Sequence, residues 1–234
     1  EIVFFRNEKN LLPEDVVIVD ESSMLDVHIA ESLLRAMKPG SRLVLIGDVH
    51  QLPSVGEGDV LNDIINSGCF PVVELNEIFR QSEKSGIVMN AHQINNGIIP
   101  DLSKKYDDFF FIEIKNEEMI PEYISNLCAV RLPKTYGIDS IRDIQVITPT
   151  KKGPNGTRSL NLSLQASLNP QNGSKNERIA NLSRLFREGD KIMQIRNDYE
   201  YEWKRGEETG KGVFNGDLGI VKTIDNEGRS FTVD

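Results

Sequence analysis

Two adjacent acidic residues, Asp20 and Glu21, follow directly after the apolar run VVIV at residues 16–19. Such a run is typical of a strand that is buried on both faces of a parallel sheet. At the end of that strand, one carboxylate can coordinate Mg²⁺ while its neighbour accepts a proton from water, as nucleoside triphosphate hydrolysis requires. Acidic residues also commonly solvate strand ends, so the pair alone leaves both interpretations open.

A second polar group follows the next apolar run, residues 43–46, where Asp48 and then Gln51 occur. A glutamine amide can accept a hydrogen bond from an attacking water and donate one to a terminal phosphate oxygen. Gln51 therefore suits a phosphate sensor, although a loop glutamine bonded to backbone is the alternative. Pro53 and two nearby glycines restrict the path of this loop, so we expect it to move as a unit.

Arg80, in the stretch EIFRQ, lies just past a third apolar run at residues 70–76. If a second domain begins there, this guanidinium could reach a terminal phosphate across a cleft and add positive charge only when the cleft closes. A surface ion pair is the alternative for a single arginine.

Positive charge is concentrated in the middle of an acidic chain. The net charge is −9 overall, but residues 142–196 carry ten Lys and Arg against four Asp and Glu. A localised basic surface binds backbone phosphates without base specificity, although a solvated face of mixed charge has the same composition. The candidate cations are Lys151, Lys152, Arg158, Lys175, Arg178, Arg184 and Arg187.

Three aromatic residues follow this basic stretch and permit two interpretations. Tyr199, Tyr201 and Trp203 could stack on nucleic-acid bases. Aromatic residues are also common in strands, and packing within a small β unit is the alternative.

The elements that must position these groups follow from hydrophobic periodicity. The sequence predicts a strand at 16–19, a helix with apolar Leu25, Ile29 and Leu33, and a second strand that ends near Asp48. This order is a βαβ crossover, so we expect a parallel sheet with both acidic strand ends at one edge. Further patterns predict strands at 70–76, 109–114 and 143–150, helices within 58–68, 77–97, 117–130 and 151–170, and a small antiparallel unit in the tail.

Composition excludes several classes of protein. The hydrophobic fraction of 38% and charged fraction of 27% are ordinary for a globular protein, and no apolar run is long enough for a transmembrane helix, so we expect no membrane partner. Two cysteines without C-x-x-C spacing and three scattered histidines indicate a reducing compartment and no metal cage. A cytoplasmic location is therefore predicted.

Several stretches, taken in order, resemble the middle part of RecD-type DNA helicases of superfamily one, the family of the exodeoxyribonuclease V alpha subunit and its stand-alone relatives. They are VIVDESSM, LVLIGDVHQLPSVGEGDVL, LNEIFRQ, IVMNAHQINNG, ITPTKKGPNGTRSLNLSLQ and GDKIMQIRNDY with VFNGDLGIV. Only residues 100–140 lack a motif. The resemblance implies an α/β fold of RecA-like P-loop NTPase motor domains with parallel sheets, plus part of a small SH3-like β insertion.

The resemblance also implies a division of the chain and a set of roles. Residues 1–76 would be the second half of a first motor domain, 77–189 part of a second, and 190–234 part of the SH3-like insertion. Asp20 would coordinate Mg²⁺, Glu21 would be the catalytic base, Gln51 the γ-phosphate sensor and Arg80 the arginine finger. Thr148, Pro149, Lys151 and Lys152 would lie beside single-stranded DNA, and Arg158 joins them as a DNA-binding candidate from the basic stretch.

The chain departs from the family pattern at two places. It contains no G-x-x-x-x-G-K-[ST] phosphate loop, and the last two helicase motifs are missing. We therefore expect a fragment of an ATP- and Mg²⁺-dependent DNA helicase that hydrolyses ATP poorly or not at all alone and self-associates through an exposed apolar edge. Expected partners are single-stranded and duplex DNA and subunits of a helicase–nuclease complex. The alternatives are a non-catalytic nucleic-acid-binding or interaction module and an RNA helicase.

Overall fold

The computed structural model describes residues 4–75, 84–180 and 184–234. The chain divides into two compact units, Glu1–Phe111 and Ile112–Asp234. The predicted domain boundary at residue 76 falls outside the described residues, and the predicted boundaries of the partial domains stay predictions. None of the described helices has the length and hydropathy of a membrane-spanning segment.

A parallel strand pair is the centre of the first unit. Strand β1, Val16–Val19, pairs in parallel with strand β2, Arg42–Leu45, and helix α1, Val27–Ala36, connects them. The side chain of Asp26 caps α1 by accepting a hydrogen bond from the Ile29 N–H at 2.7 Å. The predicted βαβ crossover is therefore confirmed, and the carboxyl ends of both strands lie at the same edge.

The burial predicted on both faces of β1 is wrong for the described residues. Val17 and Val19 are half-buried, but Val16 and Ile18 on the opposite face are exposed, as is Val44 of β2. A strand is buried on both faces only when elements cover each face, and no described element covers this one.

Two further helices complete the described elements of the first unit. Helix α2, Val60–Asn66, contributes the buried Leu61, and helix α3 spans Gly86–Asn95. The hydroxyl of Ser85 caps α3, while the Asp108 carboxylate accepts hydrogen bonds from the Ser85 hydroxyl and the Gly86 N–H. Both helices were predicted.

Three predicted strands do not form among the described residues. Segments 70–75, 109–114 and 143–150 have no strand structure. A strand requires a neighbour for its backbone hydrogen bonds, and apolar sequence alone cannot provide one. The prediction treated these short apolar runs as sheet members, and that was wrong for the chain as described.

The second unit contains a helical layer. Helix α4, Ile120–Asn126, continues through a π-helical segment, Leu127–Arg131, into helix α5, Leu132–Tyr136. Helix α6, Thr157–Leu168, packs against α4, where the Ser125 and Ser163 hydroxyls lie 2.9 Å apart. Pro121 lies in the first turn of α4, where its missing N–H costs nothing.

Antiparallel strands follow α6 in this unit; those from Lys191 onward were predicted, whereas the pair at 177–180 and 184–187 was not. Strand β8, Leu218–Asp225, is central to a three-stranded sheet and contributes the buried Val221 and Ile224. The Asn215-Gly216 turn precedes β8, with Gly216 at a φ of 100°. The antiparallel pairs are β3 (Glu177–Ala180) with β4 (Arg184–Arg187), β5 (Lys191–Met193) with β8 (Leu218–Asp225), β8 with β9 (Ser230–Val233), and β6 (Asp198–Arg205) with β7 (Glu208–Val213).

A polar cluster connects the end of α6 to these strands. The Asp190 carboxylate accepts hydrogen bonds from the Gln165 amide at 2.6 Å, the Asn169 amide at 2.7 Å and the Arg187 N–H at 2.8 Å. Arg187 in turn donates to the carbonyl of Asn169 and to the Glu177 carboxylate. Because these partners are far apart in sequence, the cluster fixes the helix on the strands.

Candidate functional site

The predicted acidic edge exists, and backbone hydrogen bonds extend it beyond the two strands. The Ile46 N–H donates to the Val19 carbonyl at 2.8 Å. The Ile46 carbonyl then accepts two hydrogen bonds from Ser22, from its N–H at 2.8 Å and its hydroxyl at 2.9 Å. Asp20 and Glu21 are the two residues between these anchor points. Their backbone is therefore held at both ends by one residue of the neighbouring strand.

Glu21 has an unusual backbone conformation. Its φ of 52° and ψ of 38° lie in the left-handed region, which is unfavourable for a residue other than glycine. The Glu21 N–H donates to one carboxylate oxygen of Asp20 at 2.9 Å, which orients that carboxylate. Both acidic side chains are exposed.

The chemistry of Asp20 fits a magnesium ligand. Its second carboxylate oxygen has no hydrogen-bond partner within the described ranges, and an exposed carboxylate oxygen is the hard ligand that Mg²⁺ prefers. The described residues contain no cluster of three or more metal-binding side chains. Mg²⁺ commonly takes one or two carboxylates and completes its shell with phosphate oxygens and water, so a single carboxylate such as that of Asp20 is compatible with it.

Gly47 brings the loop after β2 against the segment after β1. A Cβ atom at this position would lie 2.9 Å from both the Ser22 hydroxyl oxygen and the Ser23 backbone nitrogen, and 2.8 Å from a methyl carbon of Leu61. These distances are too short for any side chain. Glycine is therefore required for the two strand-end segments to touch.

The far end of the same loop is also attached. The Val27 N–H at the start of α1 donates to the Glu57 carbonyl at 2.9 Å. A Cβ atom on Gly56 would overlap the Asp26 side chain, and one on Gly58 would overlap Val27. Both ends of the loop, whose path was predicted to be restricted, are therefore attached to residues 22–27, the segment that follows β1.

Gln51 lies in the exposed middle of this loop. Its N–H donates to the Asp48 carbonyl at 3.2 Å, and the Asp48 carboxylate accepts from the His50 N–H at 2.9 Å. Asp48 therefore stabilises a turn, while the Gln51 side chain makes no hydrogen bond within the described ranges. No hydrogen bond joins Gln51 to Asp20 or Glu21, and Arg80 lies outside the described residues.

Sequence reasoning overlooked Ser22 and Gly47. The signal was present in part, because a glycine directly after a buried strand often marks a close approach of two backbone segments. The double hydrogen bond of Ser22 left no such signal, since its acceptor, the Ile46 carbonyl, is 24 residues away.

The predicted nucleic-acid segment forms a closed loop in front of α6. The Thr148 hydroxyl donates to the Asn155 carbonyl at 2.7 Å, and the Thr157 N–H donates to the Thr150 carbonyl at 3.1 Å. Thr148 thus closes the base of the loop, and Pro149 beside it is exposed.

Three cations of this segment are available to a ligand. Lys151, Lys152 and Arg158 are exposed, and none forms an ion pair with another described residue. Their charges lie within eight residues of one another at the start of α6. The arrangement suits contact with a polyanion.

Two other members of the basic stretch do not suit that role, and their assignment was wrong. Arg187 is only 8% exposed and pairs with Glu177 at 2.5 Å, while Lys175 donates to the Asn169 side chain. A long basic side chain is free for phosphate only when no carboxylate or carbonyl inside the fold satisfies it.

The aromatic residues of β6 divide between the two interpretations. The Trp203 indole N–H donates to the Gly212 carbonyl at 3.0 Å, and its ring lies against Gly210, so Trp203 packs within the hairpin. Tyr199 contacts Phe214 edge-on with ring centres 5.7 Å apart. Tyr199 and Tyr201 both remain exposed.

Comparison with known proteins identifies two regions of the chain. A family profile described as "AAA domain" matches residues 4–117, which include the acidic edge. A second profile, described as "ATP-dependent RecD-like DNA helicase SH3 domain", matches residues 160–234. The fold is therefore an AAA domain followed by an SH3-like domain.

Curated relatives match almost the whole chain. The ATP-dependent RecD2 DNA helicase of Deinococcus radiodurans is 34% identical over 231 residues, covering 99% of this chain and 28% of the relative. The RecBCD enzyme subunit RecD of Mycolicibacterium smegmatis is 26% identical over 227 residues, covering 93% of this chain and 38% of the relative. The chain thus spans about a third of the length of these relatives.

Proposed function

Because the chain belongs to the RecD-like helicase family, we propose that it is part of an ATP-dependent DNA helicase that couples ATP hydrolysis to movement along single-stranded DNA and to duplex unwinding. The observation that carries this proposal is the acidic pair Asp20-Glu21, held at the edge of a parallel sheet inside the region that matches an AAA domain. Ligands of parallel sheets bind at the carboxyl ends of the strands.

The first unit supplies the residues that act on the nucleotide. Asp20 would hold Mg²⁺, and the ion would contribute positive charge at the phosphates of ATP. Glu21 accepts the proton of the attacking water, since its exposed carboxylate makes no described side-chain hydrogen bond. Gln51 reads the terminal phosphate from a loop that is anchored at both ends. The second motor domain would supply Arg80 as the arginine finger.

The finer architecture belongs to the same proposal. Residues 1–76 and 77–189 are parts of two RecA-like motor domains, and 190–234 is part of an SH3-like insertion. The two family matches support an AAA domain before an SH3-like domain in this order. Other parts of the longer protein complete each domain.

DNA binds to the loop in front of α6. Thr148, Pro149, Lys151, Lys152 and Arg158 form this loop and its exit, and the three cations are exposed and free of described ion pairs. Contacts of this kind bind backbone phosphates, so binding is independent of base sequence. Subunits of a helicase–nuclease complex are a second class of partner, which the RecBCD subunit name of the M. smegmatis relative supports.

The substitution Glu21→Gln in the full-length helicase tests this function. It keeps the size of the side chain but removes the base, so nucleotide affinity should change less than about twofold while DNA-stimulated turnover falls at least about a hundredfold. Turnover is measured as phosphate release, and affinity is measured by titration with a fluorescent ATP analogue.

Glu14→Gln is the matched control, because Glu14 is an exposed carboxylate of the same unit without a described partner. Unchanged turnover in Glu21→Gln would remove Glu21 from its role. A wild-type protein that binds single-stranded DNA without hydrolysing ATP would instead favour the non-catalytic module.

A further inference from the structure

The hydrogen bonds that hold Glu21 in place point to a second functional residue at the same edge. We propose that Ser22 is a positioning residue for the Glu21 carboxylate, acting through its two hydrogen bonds to the Ile46 carbonyl. This inference rests on the proposed function, because it assigns Ser22 a role in presenting the base. Ser22 itself does not contact substrate.

The first argument is the backbone of Glu21. The left-handed conformation, with φ at 52°, is unfavourable for a glutamate, so it persists only where neighbouring interactions impose it. A return to the right-handed region would change the direction of the Glu21 side chain by rotating its Cα–Cβ bond. The group that imposes the left-handed conformation therefore also aims the carboxylate.

The second argument is the position of the anchors. Val19 and Ser22 both bond to Ile46, by its N–H and its carbonyl respectively, so the Asp20-Glu21 segment has fixed ends. Loss of the Ser22 hydroxyl would leave only one hydrogen bond at the second end. Asp20 would be affected less, because it adjoins the anchor at Val19.

The third argument is the enclosure of the Ser22 hydroxyl. Ser22 is 0% exposed, and its oxygen lies 2.9 Å from the position that a Cβ atom on Gly47 would occupy. Water cannot replace the hydroxyl as a donor in such an enclosed position. The second hydrogen bond to the Ile46 carbonyl is therefore formed by the Ser22 hydroxyl or not at all.

Ser23 is a natural control for this role. It is 6% exposed, and its hydroxyl is buried without a hydrogen-bond partner among the described residues. Ser22 and Ser23 are thus adjacent buried serines, of which only Ser22 has a bond to lose. Removal of the Ser23 hydroxyl leaves the anchor on Ile46 intact.

The experiment compares Ser22→Ala, Ser22→Cys and Ser23→Ala in the full-length helicase. Fluorescent nucleotide titration gives the number of binding sites and their Kd, and phosphate release gives kcat per binding site.

Ser22→Ala should lower kcat per site about tenfold, with Kd within about twofold and full binding stoichiometry. Ser22→Cys places a larger sulfur with a weaker donor at the same position, so kcat per binding site should fall in the same direction in the protein that retains nucleotide binding. Ser23→Ala should match wild type.

The outcomes separate this inference from the proposed function. The inference is overturned if Ser22→Ala loses nucleotide-binding sites but keeps wild-type kcat per remaining site, because Ser22 would then only stabilise the fold. It is also overturned if Ser23→Ala lowers kcat per site by the same factor. If Glu21→Gln is inactive while both Ser22 variants keep wild-type kcat, the inference fails and the helicase function stands. If Glu21→Gln keeps wild-type turnover, the proposed role of Glu21 and the inference fail together.

Discussion

At the scale of single residues, Glu188 shows how one carboxylate connects distant segments. It accepts hydrogen bonds from the Ile224 N–H at 3.0 Å, and from the backbone N–H and the side-chain amide of Asn176, each at 3.1 Å. The Ile224 N–H and then the Asn176 N–H hold the pKa of Glu188 below its ordinary value of 4.5, because they stabilise the charged form. The residue therefore links the start of β3 to β8.

This lowered pKa predicts a pH dependence. Because the folded-state pKa lies below the unfolded value of 4.5, the contribution of Glu188 is fully present above that value and is lost as the pH falls through the folded-state pKa. Glu188→Gln should lower the free energy of unfolding near neutral pH and flatten its decline in acid. Urea unfolding between about pH 3 and pH 7 measures both effects.

Glu227→Gln is the control for Glu188→Gln, since Glu227 is exposed and makes no described side-chain bond. The prediction is wrong if both variants keep the wild-type pH dependence.

At the scale of elements, α6 is fixed at both ends. Its first residue, Thr157, bonds to the Thr150 carbonyl and so closes the loop that carries Lys151 and Lys152. Its last turns bond to Asp190 through Gln165. The helix therefore connects the candidate DNA loop rigidly to the SH3-like strands.

The loop in front of α6 carries a prediction about DNA. Replacement of both Lys151 and Lys152 with alanine in the full-length helicase should weaken single-strand affinity and reduce the slope of log K against log salt by about 1.4, since each phosphate contact contributes about 0.7. Fluorescence anisotropy at several salt concentrations measures the slope. The matched control replaces Lys104 and Lys105, another exposed adjacent pair. An unaltered slope in the Lys151/Lys152 variant would place those lysines away from the DNA.

At the scale of the whole molecule, several apolar side chains of the described residues are almost fully exposed to solvent. Val73 is 88%, Leu75 96% and Ile147 89% exposed, all within segments that were predicted to be strands. Exposed apolar segments without strand partners favour association.

The exposed segments predict that the isolated chain self-associates. Light scattering after size-exclusion chromatography should give a mass above 26.4 kDa that increases with concentration. Val73→Lys combined with Ile147→Lys should shift the chain towards the monomer, whereas Glu14→Lys, also at an exposed position, should not. A monomer at all concentrations contradicts this prediction.

The sequence by itself determined the elements whose signals are local. Helix periodicity located α1 and α3, and the order strand, helix, strand fixed a parallel pair with its acidic residues at one edge. The motif order also identified the family, which the matching profiles confirm. These features depend on residues that are close together in the chain, so the spacing of residue types is enough to predict them.

Only the tertiary structure decided which groups meet across long stretches of chain. It placed the Ser22 hydroxyl on the Ile46 carbonyl, enclosed Arg187 with Glu177, and left residues 143–150 without a strand partner. Each outcome depends on whether a distant donor, acceptor or strand edge is in reach. A hydrogen bond is decided by the position of both partners, and a local pattern describes only one of them.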